Sequence, residues 1–423
     1  MRTPELLIWT ENYWIGGCDR FLVDLVRGLE NRPVRISLAG NAYPEFDEWL
    51  AARVPEVLPR ETLPIYNLVR SPLHALDRRL RRSAQDNELP AAGEPPVAGP
   101  LARDAAVASL RYAQGAANLV WLRKLMIHRR PDVLLINNGG YPGGESCRMA
   151  ALAARSVGVP RILHFVHNMA NPPAWPAALE NRLDRRIDAA TDIWLTAADR
   201  AADALAAERP IPRGRIRTVH YGLPEPHHNG DFDPHALRAE LGFGEDTLAL
   251  VAVANLEHRK GLAVLLDALA QLRRQGLAVR TAIVGTGPLS DALAARAAQL
   301  GLDGQVRFMG WREDVDQILQ VSDVLTLPSL SHECLPYVIL EAMARGVPVV
   351  STDVAGIPEM VLDHITGRVV QPGDAAALAG ALRELADAPC HRREMGELGH
   401  SRLLERFTLE RMTDEMAHLI GIP

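Results

Sequence analysis

Residues 324–351 read VLTLPSLSHECLPYVILEAMARGVPVVS and contain the clearest indication of the fold class. It predicts a short apolar strand at 324–327, a polar loop, a helix at 337–345 and a second apolar strand at 347–351. Strands that are apolar along their whole length are buried on both faces, and a helix between two of them favours a parallel arrangement. The stretch therefore predicts an α/β fold.

The same alternation of apolar strands and amphipathic helices runs through the whole chain. A single hydrophobic core stops growing at about 250–300 residues, so 423 residues favour two doubly wound domains. Residues 208–234 are rich in Pro, Gly and polar side chains, which places the predicted domain boundary near residue 222. The strand-like runs lie at 6–9, 34–39, 133–137, 161–166 and 192–196, and then at 248–254, 280–284, 306–309, 324–327 and 347–351.

The composition is that of a globular protein and excludes several classes of function. The formal net charge of −6 disfavours a general nucleic-acid binder, which would carry a basic excess. Cys18, Cys147, Cys334 and Cys390 form no CxxC pair, so neither a common zinc site nor a disulfide framework is predicted. The chain shows no secretory signal and no apolar run of about 18 residues. We therefore expect a soluble, cytoplasmic protein.

Several polar side chains follow predicted strands at the edge where open α/β sheets bind ligands. Glu333 lies in the loop after the strand at 324–327, and Glu341 lies about one and a half turns into the next helix. Carboxylates at this edge are suited to accept hydrogen bonds from sugar hydroxyls. Lys260 opens the helix after the strand at 248–254, where a cation and a helix N-terminus together favour a phosphate.

The segment 248–370 resembles the family 4 retaining glycosyltransferases of glycosyl transferases group 1. Glu333 and Glu341 match the family's Glu-x7-Glu motif, and residues 341–350 match its EAMxxGxPVV sequence. The resemblance implies the GT-B fold, with two Rossmann-like domains facing a central cleft. It assigns residues 1–221 to an acceptor-side domain and 222–404 to a domain that binds the nucleotide-sugar donor. Residues 405–423 would form a helix that packs back on the first domain.

The resemblance also assigns roles at the sugar and nucleoside ends of the donor. Glu341 would hold the ribose hydroxyls, and Glu333 would contact the donor sugar. The backbone amides of Cys334 and Leu335 would help to bind it. The glycines of the turn Gly285-Thr286-Gly287 would let the backbone approach the nucleotide closely, and the stretch 307–311 would lie beside the base.

The diphosphate would lie between the cations of the second domain and the glycines of the first. Lys260 matches the family's lysine, but Asn255 occupies the position of its usual arginine. Either Arg259 replaces that arginine or Asn255 donates a neutral hydrogen bond. The Gly16-Gly17 pair after the first strand would offer a backbone amide to the same phosphates.

The reacting centre and the acceptor would lie against the first domain. His167 matches the family's histidine near the reacting centre, and His164 is the rival for that role. The loop that contains Asn138 and Tyr141 ends a strand at the same edge, so we expect it to face the acceptor.

The implied activity is transfer of a sugar, with retention, from a nucleoside-diphosphate sugar to an acceptor hydroxyl in glycoconjugate biosynthesis. His167, Lys260 and Glu333 would be the catalytic residues. The acceptor would be a glycan, a lipid-linked molecule or a small molecule. No cofactor or metal is expected, and the Asp-x-Asp pairs at 231–233 and 314–316 are interpreted as surface features. The alternatives are a GT-B nucleotide-sugar 2-epimerase and a non-catalytic nucleotide-sugar-binding protein.

One basic segment lies outside these motifs. Residues 70–82 contain five arginines, namely Arg70, Arg78, Arg79, Arg81 and Arg82. Such a cluster is attracted to anionic lipid headgroups, which suggests peripheral contact with the inner face of a membrane or recruitment of an anionic acceptor. The alternative is a helix face whose arginines are simply solvated.

Overall fold

The computed structural model describes residues 2–12, 15–54, 61–63, 101–173, 176–225 and 232–422, with the backbone alone at 101–111. The basic segment 70–82 and Asp231 lie outside the described residues. The proposed membrane contact therefore stays a prediction.

The chain divides into two compact units. The first contains Met1–Leu195, Ala202–Arg217 and Ala417–Pro423, and the second contains Thr196–Ala201 and Thr218–Met416. Each unit is built around one parallel sheet, of seven strands in the first and six in the second. The predicted α/β fold class is confirmed.

The first half of the chain forms the strands β1 to β7 and the helices α1 to α6. The strands are β1 (Glu5–Thr10), β2 (Arg35–Asn41), β3 (Glu61–Leu63), β4 (Val133–Asn138), β5 (Arg161–Val166), β6 (Ile193–Thr196) and β7 (Ile216–Thr218). The helices are α1 (Gly17–Leu29), α2 (Pro44–Ala51), α3 (Leu101–Arg129), α4 (Glu145–Ser156), α5 (Ala177–Ala190) and α6 (Asp199–Glu208).

The second half forms the strands β8 to β13 and the helices α7 to α15. The strands are β8 (Leu248–Val253), β9 (Val279–Val284), β10 (Val306–Gly310), β11 (Val324–Leu327), β12 (Val349–Thr352) and β13 (Gly367–Val370). The helices are α7 (Pro234–Leu241), α8 (Leu262–Arg274), α9 (Ser290–Gln299), α10 (Val315–Gln320), α11 (Tyr337–Ala344), α12 (Ile357–Met360), α13 (Ala375–Asp387), α14 (Pro389–Arg406) and α15 (Leu409–Ile420).

The strand order of each sheet sets the position of its binding edge. The first sheet runs β3-β2-β1-β4-β5-β6-β7, and the second runs β10-β9-β8-β11-β12-β13. In each sheet the order reverses direction between two central strands, β1 and β4 in the first and β8 and β11 in the second. Loops at the carboxyl ends of such a pair diverge and leave a crevice for ligands.

Apolar side chains at helical spacing hold the helices on these sheets. Helix α8 is an example, since its buried leucines recur every three or four residues and pack against β8 and β9. These leucines are Leu262, Leu265, Leu266, Leu269 and Leu272. The helix therefore fixes the preceding turn, which contains Lys260, at the edge of the second sheet.

Candidate functional site

The turn after β8 brings Lys260 next to the loop after β11. A short 3-10 turn covers His258–Lys260, and Gly261 follows it with φ +67°. A Cβ at Gly261 would lie 1.9 Å from the carbonyl oxygen of Pro328 in the β11 loop. Only glycine allows both this conformation and this approach. The glycine therefore explains how the two loops meet.

Glu333 is the centre of a charged cluster at this edge. Its side chain is largely buried, and the Lys260 ammonium forms an ion pair with its Oε1 atom. The Arg259 Nη1 atom lies 3.4 Å from the same oxygen and donates to the His332 carbonyl oxygen at 3.1 Å. The Ser329 hydroxyl also donates to Oε1, at 2.8 Å. The second unit thus brings three of the predicted donor-site residues together.

The two oxygens of Glu333 have different surroundings. All the hydrogen bonds and ion pairs that described residues make with this carboxylate involve Oε1. Oε2 is therefore the oxygen that remains for a ligand hydroxyl. An ionised carboxylate with one oxygen held by cations and one oxygen open is a strong, oriented acceptor.

Asn255 and the two glycines of the β9 loop lie beside this cluster. A Cβ at Gly285 would lie 2.0 Å from the Ala254 carbonyl oxygen, and one at Gly287 would lie 2.5 Å from that of Leu256. Asn255 is exposed between these two contacts. The close packing of the two loops therefore explains why glycine occupies both positions. The predicted contact of these glycines with a nucleotide stays a prediction.

Glu341, Cys334 and Leu335 follow Glu333 along the chain. Glu341 is half-buried in α11, and the side chains of Cys334 and Leu335 are buried. Burial raises the pKa of the Cys334 thiol to about 12, so this cysteine is a neutral packing group at neutral pH. The two buried side chains anchor the backbone that leads from Glu333 into the helix.

In the first unit, a buried carboxylate shapes the glycine turn after β1. The Gly16 backbone N–H donates to Asp19 Oδ2 at 2.8 Å, and the Asn12 amide donates to the other oxygen. Asp19 is fully buried, whereas Gly17 is exposed at the start of α1. Asp19 is not among the residues predicted from the sequence. An acidic residue three positions after the residue that precedes a helix, here Gly16, is the signal that could have found it.

His164 lies within β5, whereas His167 directly follows the strand. The His164 ring is completely buried and stacks on Trp194 with the ring centroids 4.5 Å apart. The His167 ring lies just beyond the carboxyl end of the strand and stacks on Phe165 at 4.1 Å. Burial is the main cause that lowers each histidine's pKa to about 3, with a smaller contribution from Arg148 for His164 and from His164 for His167. Both imidazoles are therefore neutral at neutral pH.

Asn137 sets the orientation of His167. Its amide group donates to the Cys18 carbonyl oxygen at 3.3 Å, so its Oδ1 atom is the partner of His167 Nε2 at 2.6 Å. A carboxamide oxygen accepts, which places the proton of the neutral imidazole on Nε2. From the sequence, Asn137 is placed in the strand-end loop that is expected to face the acceptor, but its contact with His167 is not predicted.

Asn138 and Tyr141, predicted to face the acceptor, have buried side chains. The Asn138 Oδ1 atom accepts the Gly144 N–H at 3.3 Å, and the Tyr141 hydroxyl donates to Asp184 Oδ1 at 2.7 Å. Both buried side chains thus stabilise the loop after β4. The exposed positions of this loop include Gly139. The acceptor contact of Asn138 and Tyr141 stays a prediction.

A buried ion cluster supports the same loop. Arg148, Glu180, Asp184 and Arg209 are each 3% exposed or less. The Arg209 Nη1 atom lies 2.9 Å from Asp184 Oδ2, and the Arg148 Nη1 atom lies 3.2 Å from Glu180 Oε2. If one of these carboxylates were removed, a buried guanidinium would be left without a compensating charge, which would destabilise the fold. The cluster ties α4, α5 and the end of α6 to the loop after β4.

Both aspartates of the Asp-x-Asp pair at 314–316 form ion pairs with arginines. Asp314 accepts two hydrogen bonds from the Arg312 guanidinium, and Asp316 pairs with Arg345. Within the described parts of the chain, no group of three or more His, Cys, Asp or Glu side chains could hold a metal ion. None of the described helices is long and apolar enough to cross a membrane.

A family model matches the part of the chain that contains the charged cluster. Residues 247–388 match the model of glycosyl transferases group 1. The matched segment is a group 1 glycosyltransferase domain. It includes Lys260, Glu333 and Glu341, so the predicted resemblance to glycosyl transferases group 1 is confirmed for this segment. The glycosyltransferase domain occupies most of the second compact unit.

The curated relatives include glycosyltransferases that are named for lipopolysaccharide core and for colanic acid biosynthesis. The chain is 35% identical over 184 residues to the lipopolysaccharide core biosynthesis glycosyltransferase LpsE of Rhizobium meliloti. The aligned segment covers 44% of this chain and 53% of LpsE. It is 38% identical over 146 residues to the putative colanic acid biosynthesis glycosyltransferase WcaL of Salmonella typhimurium, covering 33% and 36% of the two chains. The chain thus spans about half of LpsE and a third of WcaL.

Solved structures show the same fold over the full chain. Anabaena HepE in complex with UDP superposes with a TM-score of 0.72 at 18% identity, covering 99% of both chains. The lipopolysaccharide glycosyltransferase WaaG superposes with a TM-score of 0.62 at 15% identity, also covering 99% of both. The predicted GT-B fold, with its two Rossmann-like sheets, is confirmed.

Proposed function

We propose that the protein transfers a sugar from a nucleoside-diphosphate sugar to an acceptor hydroxyl during assembly of a polysaccharide or lipopolysaccharide. The observation that carries this proposal is the cluster of Lys260, Arg259 and Glu333 at the carboxyl ends of β8 and β11, inside the glycosyltransferase domain. HepE has been crystallised with UDP and with UDP-glucose, and LpsE and WcaL are named for glycan assembly. These relatives support both the donor class and the biological role.

The diphosphate would be held by Lys260 and Arg259. Arg259 contacts the Glu333 carboxylate, as Lys260 does. Asn255, by contrast, is exposed. An arginine can bind a phosphate through two hydrogen bonds, which a neutral amide matches only weakly. Arg259 is therefore our candidate for the missing diphosphate arginine. The Gly17 amide remains the predicted contribution of the first unit.

The remaining parts of the donor would bind at the two glutamates. Oε2 of Glu333 would accept a hydroxyl of the donor sugar, and the backbone amides of Cys334 and Leu335 would lie beside it. Glu341 would accept the ribose hydroxyls, and the turn at Gly285 and Gly287 would lie along the nucleoside. Carboxylates suit this task because hydrogen bonds to charged acceptors are stronger than those between neutral groups.

Catalysis would rest on stabilising the charge that grows on the leaving diphosphate. As the bond between the anomeric carbon and the diphosphate oxygen breaks, the acceptor oxygen bonds to that carbon and its proton passes to the leaving oxygen. Fixed cations placed at a developing charge give the largest catalytic effect in many enzymes. Lys260 and Arg259 would supply this charge, so we expect no requirement for a metal ion or another cofactor. Retention at the anomeric carbon follows from the family resemblance.

His167 is our candidate for the histidine at the reacting centre. It lies beyond the end of β5, held by Asn137, whereas His164 lies inside the strand against Trp194. A neutral imidazole with its proton on Nε2 can accept a hydrogen bond through Nδ1. His167 would therefore act as a neutral group at the reacting centre rather than as a cation.

Product analysis distinguishes the transferase from its alternatives. Purified protein is incubated with UDP-, GDP-, ADP- and dTDP-sugars, with and without acceptor glycans, and the products are followed by mass spectrometry and anomeric proton NMR. We expect free nucleoside diphosphate and an elongated acceptor with the donor's anomeric configuration. A 2-epimerase would convert the donor without any acceptor. Binding without any conversion, in the presence of acceptors drawn from lipopolysaccharide core and capsular glycans, would contradict the transferase proposal.

A further inference from the structure

We propose that Glu333 serves as the counter-ion of the diphosphate cations in the resting enzyme and thereby favours the intact donor over the spent nucleoside diphosphate. This inference rests on the proposed function of the site and adds a specificity role to it. Lys260 would be the partner of Glu333 in the free enzyme, and a bound donor would add a sugar hydroxyl at Oε2 while Lys260 turns in part toward the phosphate.

The resting contact is well defined in the second unit. The side chain of Lys260 is 12% exposed and that of Glu333 is 6% exposed. Glu333 is the acidic partner of Lys260 among the described residues, and the contact involves Oε1. Water screens the charges of such a buried ion pair much less than those of a surface pair. Separating the two charges therefore has a measurable free-energy cost. A ligand that needs Lys260 must meet that cost.

The charges around the cluster balance each other before any ligand arrives. Lys260 and Arg259 carry two positive charges, and Glu333 and Glu257 carry two negative charges, with Glu257 2.7 Å from the Arg259 guanidinium. An incoming diphosphate therefore meets cations that already have partners. It also meets the negative charge of Glu333 itself, which lies within contact distance of the ammonium that the phosphate would bind.

The intact donor and the free diphosphate differ in what they offer Glu333. A bound donor brings sugar hydroxyls, which donate to the carboxylate and offset its partial loss of Lys260. A free nucleoside diphosphate brings more negative charge and no sugar hydroxyl. The carboxylate then competes with the phosphate for Lys260 without compensation. After sugar transfer, this competition would favour release of the product.

The test is calorimetric titration of the free diphosphate into wild type and Glu333→Gln. The probe is whichever of UDP, GDP, ADP and dTDP binds wild type most tightly. Glutamine keeps the shape and the acceptor for Ser329 but removes the charge. We expect the Kd for the free diphosphate to fall roughly three- to tenfold, because the interaction free energy of a partly buried ion pair is larger than that of an exposed pair. Turnover of the intact donor should fall in the same variant.

Glu257→Gln is the matched control. It makes the same change of charge next to Arg259, but Glu257 is more exposed and pairs with the arginine rather than with Lys260. We expect its Kd for the diphosphate to stay within about twofold of wild type, since exposed pairs contribute little. Equal tightening in both variants would show a general charge effect and overturn the inference.

The remaining outcomes separate this inference from the proposed function. Unchanged or weaker diphosphate binding by a folded Glu333→Gln variant would overturn the counter-ion role and leave the donor site intact. Failure of wild type and of both variants to bind UDP, GDP, ADP or dTDP would contradict the proposed function itself. Should Glu333→Gln not fold, as judged by circular dichroism, Glu333→Ala provides the same comparison with the charge removed.

Discussion

Replacing Lys260 with alanine is expected to lower kcat by about 10²–10³-fold, the scale seen when one preorganised donor to a developing negative charge is lost. The ammonium is held at the carboxyl edge of the second sheet by the turn before α8 and by Glu333. Its removal would take away the cation next to the leaving diphosphate. Steady-state kinetics with a saturating donor measures the effect.

Lys124→Ala is the matched control for this variant. Lys124 is exposed on α3 in the first unit, where its ammonium lies over the Trp121 ring. The same substitution there should leave kcat unchanged. A folded Lys260→Ala variant with kcat near that of wild type would mean that the diphosphate binds elsewhere.

Replacing Asp184 with asparagine is expected to destabilise the first unit by about 3–5 kcal/mol, because removing one partner leaves buried charges without compensation. Asp184 is completely buried and contacts both Arg148 and Arg209, and it also accepts a hydrogen bond from the Tyr141 hydroxyl. Urea unfolding followed by tryptophan fluorescence measures the change. Since the chain has two compact units, the relevant quantity is the midpoint of the transition that reports on the first.

Asp203→Asn provides the comparison for Asp184→Asn. Asp203 pairs with Arg213 in the same unit, but its side chain is 66% exposed. Solvent screening makes such a pair nearly neutral for stability, so its unfolding midpoint should hardly move. Equal midpoints for the two variants would show that the buried cluster does not support the loop at Tyr141.

The apolar strands of the fold could be predicted from local sequence. The runs at 280–284 and 324–327 correspond to β9 and β11 within a residue, because strands buried on both faces are apolar throughout. The three-residue strand β3 (ETL) has no such pattern, since its side chains are only partly buried or exposed at the edge of the sheet. Its strand conformation comes from pairing with β2, which a local pattern does not reveal.

The candidate site could be predicted only in part, for a related reason. Glu333 and Lys260 each follow a strand, and the topology places β8 and β11 side by side. Their ion pair, however, joins residues 73 positions apart and depends on the close approach at Gly261. The contact of Asn137 with the Cys18 carbonyl oxygen spans 119 positions. Such partners are set by packing between strand ends, which the spacing of residues along the chain does not encode.

Calorimetric titration of the wild-type chain with UDP, GDP, ADP and dTDP, repeated with Glu341→Gln, tests the nucleotide-sugar site itself. We expect one of these diphosphates to bind with one site per chain. We also expect Glu341→Gln to weaken this binding roughly tenfold or more, since hydrogen bonds to a charged acceptor contribute about 1.5–3 kcal/mol. No measurable binding of any diphosphate, or equal affinity in the folded Glu341→Gln variant, would contradict a nucleotide-sugar site at this edge of the second sheet.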